Sequence, residues 1–384
     1  MWFMKAGEAA APAIAGSAVP QIDSLTSLRG IAALVVVLYH FQAGPLQYAL
    51  QRYTPVLDRG YLAVDLFFIM SGFVIAHVYG RTFAGRWGGR DFARYMWARF
   101  ARLYPLHIAT LAGMVAIYLI GETLAYGAVE IAHEGRWSWV GLVHNIFLTQ
   151  GPWLPYATWN SPAWSISAEM HLYLLFPLAL PLLWHAPRQY LLPILALLFA
   201  MRYAGDALGL DAAHGPAASA FRCVPAFLAG VVLYRFYCLG WLRAALSGSW
   251  PIALIVAACI AMAHLGAPDS FMLPLVVALV LAAVHCTGAS ARLLSLAPLV
   301  YLGEISYSVY LMHPLVDRAI YYTFEALGMK QGDLSNVQYL TFLASSILLV
   351  LIVAAASYRW LEMPARAALR RMDPTRLRRA VTAA

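Results

Sequence analysis

Residues 28–40 read LRGIAALVVVLYH, an apolar run opened by Arg29 and closed by His40. Hydrocarbon cannot solvate a guanidinium or an imidazole, so ionisable side chains at membrane depth suggest function by default. On an α-helix the eleven-residue interval spans about three turns and roughly 16 Å of rise, which puts both groups on one face. That spacing sets Arg29 near one membrane surface and His40 near mid-depth. A flanking arginine that snorkels, beside a lone core histidine, accounts for the same pattern.

The rest of the chain agrees that lipid is the solvent. It is 62% hydrophobic and 11% charged, against about 25% charged in soluble domains. At about 20 residues per span, most of the 384 residues are consumed by helices. No room is left for a separate soluble enzyme domain, so any chemistry takes place within the bundle. The expected fold is an all-α, polytopic integral membrane helix bundle of about ten transmembrane helices. Its apolar windows lie near 28–48, 62–80, 103–120, 164–185, 189–204, 219–240, 250–265, 271–286, 297–324 and 338–361.

The net charge of +8 reports topology and not nucleic acid. Arg81, Arg86, Arg90, Arg94, Arg99 and Arg102 fall in one connection, and Arg235, Arg243, Arg292 and the tail from Arg366 to Arg379 fall on the same side. Arg52, Arg59, Arg136 and Lys330 scatter over the other side. Positive residues concentrate in the cytoplasm, so both termini are expected there. The domain reading is a flexible tail at 1–27 with the single lysine Lys5, a transmembrane domain at 28–362, and a basic tail at 363–384 that anchors to anionic lipid. Cys223, Cys238, Cys259 and Cys286 lack CxxC spacing and read as small core residues. Trp137, Trp139, Trp153 and Trp159 in segment 121–163 suit an interfacial belt or a platform for sugar rings.

Four further stretches carry polar groups where hydrocarbon disfavours them. In GYLAVDLFFIMSGFVI, Asp65 needs a partner or a wet cavity, and Ser71-Gly72 permits close helix approach. In RDFARYMWARFARLYPLH, Arg99 and Arg102 are neighbours on one helical face and could grip a phosphate, or could simply anchor the cytoplasmic side. In SPAWSISAEMHLYLLFP, Ser165, Glu169 and Tyr173 form one stripe. Glu169 is a candidate to orient His40 as a carboxylate does in general-base catalysis, or to make a structural interhelical bond. In YLGEISYSVYLMHPL, Ser306, Tyr310 and His313 share a face, which lines a cavity or glues helices.

Together these motifs resemble the membrane-bound acyltransferase type 3 family, which O-acylates bacterial surface polysaccharides and related acceptors. The resemblance rests on Arg29-x10-His40, DLFFIMSGFVI, Arg99-x-x-Arg102 followed by LYP, WSISAEMHLYLLFP and YLGEISYSVYLMHP, in family order from about Leu25 to the last span. It implies that His40 is essential for acyl transfer with Arg29 as its motif partner. It further implies that Arg99 and Arg102, with Arg29, engage an acyl-CoA donor, acetyl-CoA in the simplest case, from the cytoplasm. The acceptor would be a glycan or lipid-linked glycan at a bacterial inner membrane, contacted by Asp65, Tyr307, Tyr310 and His313. A diffusible acceptor such as a macrolide is equally compatible. No metal is expected, because the histidines lack HxxxH or HExxH spacing. A transporter or flippase for a lipid-linked sugar would also need buried charge and a polar cavity.

Overall fold

A computed structural model describes residues 22–41, 53–127, 129–210, 215, 218–329, 334–373 and 375. Lys5, Arg52, Lys330 and Arg379 lie outside them. The described chain runs through α1 (Asp23–Phe41), α2 (Ala63–Ala84), α3 (Gly89–Tyr126), α4 (Trp139–Ile146), α5 (Trp164–His185), α6 (Arg188–Ala207), α7 (Val224–Leu239), α8 (Trp250–His264) and α9 (Asp269–His285). It continues through α10 (Ala297–Glu304), α11 (Ser306–Ala326), α12 (Asn336–Ser357) and α13 (Met363–Arg371). The described residues hold no strand beyond one isolated bridge, Ala132 with Ser138. The all-α bundle is therefore as expected, and each of the ten apolar windows contains a helix.

Not every window holds a helix that is by itself long and apolar enough to cross a membrane. Among the described residues seven helices are long and apolar enough to cross a membrane, or eight if α9 and the bent Gly288–Leu294 count as one. Helix α8 has only 15 residues. Helix α11 carries Asp317, Arg318 and Glu325 and packs against α1, α3 and α12. A helix enclosed by protein has its surface chosen by its neighbours and not by lipid. Two boundaries also move. Helix α1 begins at Asp23, five residues before its apolar window, where a carboxylate in the first turn suits the helix dipole. Helix α13 occupies part of the expected basic tail.

The tightest crossing lies between α2 and α7. A Cβ added at Gly72 would sit 1.9 Å from the Phe227 carbonyl oxygen, and one at Gly230 would sit 2.0 Å from that of Ile69. Only hydrogen fits, which bears out the close approach expected at Ser71-Gly72. Around this crossing Phe176 meets Phe227 edge to face at 6.2 Å, in a core that also holds Phe73 and Phe83.

Two π-helical turns interrupt the bundle, Ser219–Cys223 before α7 and Tyr358–Glu362 before α13. One extra residue per turn re-aims a side chain. Each turn supplies one charged partner to an interhelical ion pair, Arg222 in the first and Glu362 in the second.

Candidate active site

A cavity of about 620 Å³ opens within the bundle. Its walls are stripes set by helical spacing: Phe67, Ser71, Val74 and Val78 on α2, Ser165, Glu169 and Tyr173 on α5, and Ser306, Tyr307 and Tyr310 on α11. Arg29 enters from α1, and Arg99 and Arg102 from α3. The Ser165–Glu169–Tyr173 stripe, the Arg99–Arg102 pair, and Ser306 with Tyr310 thus converge on one space, while His313, expected on the same face as Ser306 and Tyr310, does not line it.

The α5 stripe is held by short hydrogen bonds. Glu169 Oε1 accepts from Ser71 Oγ at 2.6 Å and from the Tyr173 hydroxyl at 2.5 Å. A charged acceptor makes such bonds stronger than a neutral one would. On α11, Tyr310 meets Ser165 Oγ at 2.8 Å and donates to the Pro162 carbonyl at 2.9 Å. Tyr307 donates to the Leu103 carbonyl at 2.6 Å.

The arginines divide by partner. Arg29 donates through Nη2 to the Gly303 carbonyl at 2.8 Å and through Nε to Ser306 Oγ at 3.0 Å. Gly303 lies in the last turn of α10, just before the break to α11, where helix carbonyls lose their intrahelical donors. Arg29 therefore caps that break while facing the cavity. Arg102 pairs with Glu362 at 3.5 Å, and Glu362 also accepts from Ser308 at 2.8 Å. Arg99 donates to the Tyr79 hydroxyl at 3.1 Å and lies over the Tyr79 and Tyr173 rings.

His40 is not among the residues lining this space. It is exposed at the last turn of α1, with Nδ1 2.9 Å from the Val36 carbonyl oxygen. Its ring lies 4.8 Å from that of His313, which lies 6.0 Å from Tyr310, which in turn meets Phe67 at 5.8 Å. Tyr310 and Phe67 are cavity wall, so a layer of rings separates the cavity from His40. His313 is buried, and its Nε2 has no hydrogen-bond partner among the described residues.

Three sequence expectations change accordingly. Glu169 does not orient His40; its carboxylate is engaged by Ser71 and Tyr173 on the cavity wall. Asp65 does not reach into the cavity for an acceptor. It accepts from Arg222 Nε at 2.7 Å, and this ion pair is the partner that its burial demanded. Arg29 lines the cavity, whereas His40, on the same helix, does not.

Other cavity-lining residues were missed in the sequence. His77 lies on the cavity wall, one position off the Ser71–Val74–Val78 stripe. Arg366 and Arg370 also line it, although they were assigned to a lipid-anchoring tail; their i, i+4 spacing was the available signal. Among the loop tryptophans, Trp159 is buried and Trp137 stacks on Tyr118 at 4.6 Å, whereas Trp139 and Trp153 are exposed as a belt would be. The cysteines are free. Among the described residues no group of His, Cys, Asp or Glu could hold a metal ion.

Comparison with known proteins identifies relatives. The family model for an acyltransferase domain matches residues 22–359. The acyltransferase MdmB of Streptomyces mycarofaciens is 37% identical over 172 residues, which is 42% of this chain and 39% of that protein. Protein 2 in picA locus of Rhizobium radiobacter is 42% identical over 95 residues, 25% of this chain and 44% of that protein. The O-acetyltransferase OatA of Staphylococcus aureus is 24% identical over 381 residues, covering 90% of this chain and 57% of OatA. The chain thus spans about half the length of the relatives it matches. No solved structure matches it.

Proposed function

We propose, from the premise that this chain belongs to the acyltransferase family whose domain covers residues 22–359, that it moves an acyl group from acyl-CoA to a hydroxyl of a membrane-associated or extracytoplasmic glycan. That it is a multi-pass membrane acyltransferase follows from the family and the apolar helices. The observation that supports the finer reading is the cavity whose arginine-lined end holds Arg99 and Arg102 and whose opposite wall, Phe67 and Tyr310, lies against the His313–His40 pair. The resemblance to an O-acetyltransferase supports acetyl as the group moved and a hydroxyl as acceptor.

In this reading Arg99 and Arg102 hold the donor's phosphates and the thioester points inward past Ser71 and Glu169. His40 takes the proton from the acceptor hydroxyl, whose oxygen attacks the thioester carbonyl. The carbon–sulfur bond breaks and the leaving thiolate is protonated to the free thiol of CoA. A neutral imidazole has a free ring nitrogen that can accept the hydroxyl proton. The donor's acyl end must then pass between Phe67 and Tyr310 to meet His40. His40 reaches the acceptor from the end of α1 remote from Arg29.

The test is acyl transfer by the purified chain in lipid nanodiscs supplied with radiolabelled acetyl-CoA and a glycan acceptor. Labelled acceptor and free CoA in equal amounts are expected, and both should vanish in His40→Ala. A chain that binds and moves lipid-linked sugar but never releases CoA is a transporter, and the proposal fails. If His77→Ala abolishes transfer and His40→Ala does not, the base is on the cavity wall instead.

A further inference from the structure

The C-terminal helix α13 was expected to lie on the membrane surface, yet it closes one side of the cavity. Arg366 and Arg370, one helical turn apart, both face into it. The helix is fastened to α3 by the Trp97 indole, which donates to the Leu369 carbonyl at 2.7 Å. Arg371, the next residue, is exposed and is not part of the lining.

The charges that meet here do not balance. Arg29, Arg99, Arg102, Arg366 and Arg370 line the cavity with Glu169 and Glu304. Counting Glu362, which pairs with Arg102, five cations face three carboxylates and two positive charges are left over. The Nε atoms of both Arg99 and Arg366 are buried with no hydrogen-bond partner among the described residues. Arg366 lies in the repulsive field of Arg102, Arg370 and Arg99, opposed by Glu362. Guanidinium groups crowded this way, with donors unused and an open volume between them, are stable when an anion sits among them. Their planar forks match phosphate oxygens in pairs.

We propose that α13 is a substrate-binding element: Arg366 and Arg370, together with Arg99 and Arg102, form a subsite for a diphosphate group carried by a soluble ligand. A diphosphate brings at least the two negative charges that the cavity lacks, and its oxygens can engage two arginine forks from each helix. The subsite deepens the acyl-CoA reading and rests on it for the identity of the donor, though not for the anion chemistry.

The same phosphate chemistry is offered by an anionic lipid headgroup, so the experiment separates the two sources. Inorganic pyrophosphate is titrated calorimetrically into the full chain held in phosphatidylcholine nanodiscs. The parent binds, and Arg366→Gln with Arg370→Gln weakens binding by about 10- to 100-fold, the size expected for losing charge-assisted hydrogen bonds. Arg371→Gln removes one positive charge from the same helix outside the cavity and leaves the affinity unchanged. Arg366→Lys with Arg370→Lys keeps the charge and the fold but loses the paired geometry, and its affinity falls between the two.

Unchanged affinity in the double glutamine variant overturns the proposal. So does an equal loss in Arg371→Gln. Absence of pyrophosphate binding in the parent, with all three variants equally impaired in binding phosphatidylglycerol vesicles, marks a lipid anchor and overturns it as well. If pyrophosphate binding depends on Arg366 and Arg370 but acetyl-CoA supports no transfer, the donor reading fails and the subsite stands. Transfer from acetyl-CoA with an unaltered donor KM in the double glutamine variant has the opposite consequence.

Discussion

Neutralising Asp65 separates a structural role from a substrate-binding one. The Asp65 and Arg222 side chains are 5% and 3% exposed, and Arg222 also donates to the Tyr61 carbonyl at 3.1 Å. Asp65→Asn leaves the guanidinium buried between the Tyr61 and Trp164 rings without its directly bonded carboxylate. Breaking a buried pair on one side costs about 3–5 kcal/mol, because the surviving charge is stranded. Asparagine keeps a carbonyl oxygen for Arg222 Nε, so the expected loss is near the lower bound, about 3 kcal/mol. Unfolding by titration with sodium dodecyl sulfate, followed by tryptophan fluorescence, measures it against the parent. Removing both charges, Asp65→Asn with Arg222→Gln, should recover at least half of the loss, since most of the penalty is the unpaired cation. The fraction that remains folded should still transfer acyl groups. An Asp65→Asn protein as stable as the parent but unable to use the acceptor would refute this reasoning and return Asp65 to the substrate site.

Three further outcomes follow from the same geometry. His40→Ala should abolish acceptor acylation while shifting stability by less than about 1 kcal/mol, because the side chain is exposed; CoA release and the detergent titration report the two effects separately. Glu169→Gln keeps an oxygen for Ser71 and Tyr173 but loses the charge that shortens both bonds, so kcat in CoA release should fall by roughly 10-fold; full retention would make Glu169 a packing residue. Phe67→Ala removes one half of the ring layer between cavity and His313, so acceptor-independent hydrolysis of acetyl-CoA should rise relative to transfer, and an unchanged ratio would show that this layer does not hold water back.

What the sequence made legible was local. Ser165, Glu169 and Tyr173 repeat every four residues, Arg99 and Arg102 every three, and Ser306 and Tyr310 every four, so helical geometry alone put each set on one face. All of them line the cavity. What was not legible depended on contacts between residues far apart in the chain. Arg222 reaches Asp65 from a π-helical turn 157 residues away, and no periodicity announces such a turn. Glu169 found Ser71, 98 residues away, instead of His40 for the same reason: a carboxylate in an apolar run states its need for donors without naming the distant ones. Fewer helices than windows are long and apolar enough by themselves to cross a membrane, because α11 carries charged residues and packs against α1, α3 and α12, and α8 is short.

The separation of Arg29 from His40 gives the motif they share a physical sense. Were both to open on one cavity, a bundle that admits a soluble donor from one surface and an acceptor from the other would contain a continuous aqueous path. Helix α1 instead carries Arg29 into the arginine-lined cavity, where it also holds the α10–α11 break in place through Gly303. Eleven residues on, it presents His40 beyond the Phe67–Tyr310 layer. The same break sets the start of α11, and α11 supplies Ser306, Tyr307 and Tyr310 to the cavity and His313 to His40. An arginine that fixes where α11 begins therefore also fixes, three turns away, where the imidazole pair meets the ring layer. Its spacing from the histidine on one helix sets how far the cavity arginine lies from the imidazole pair.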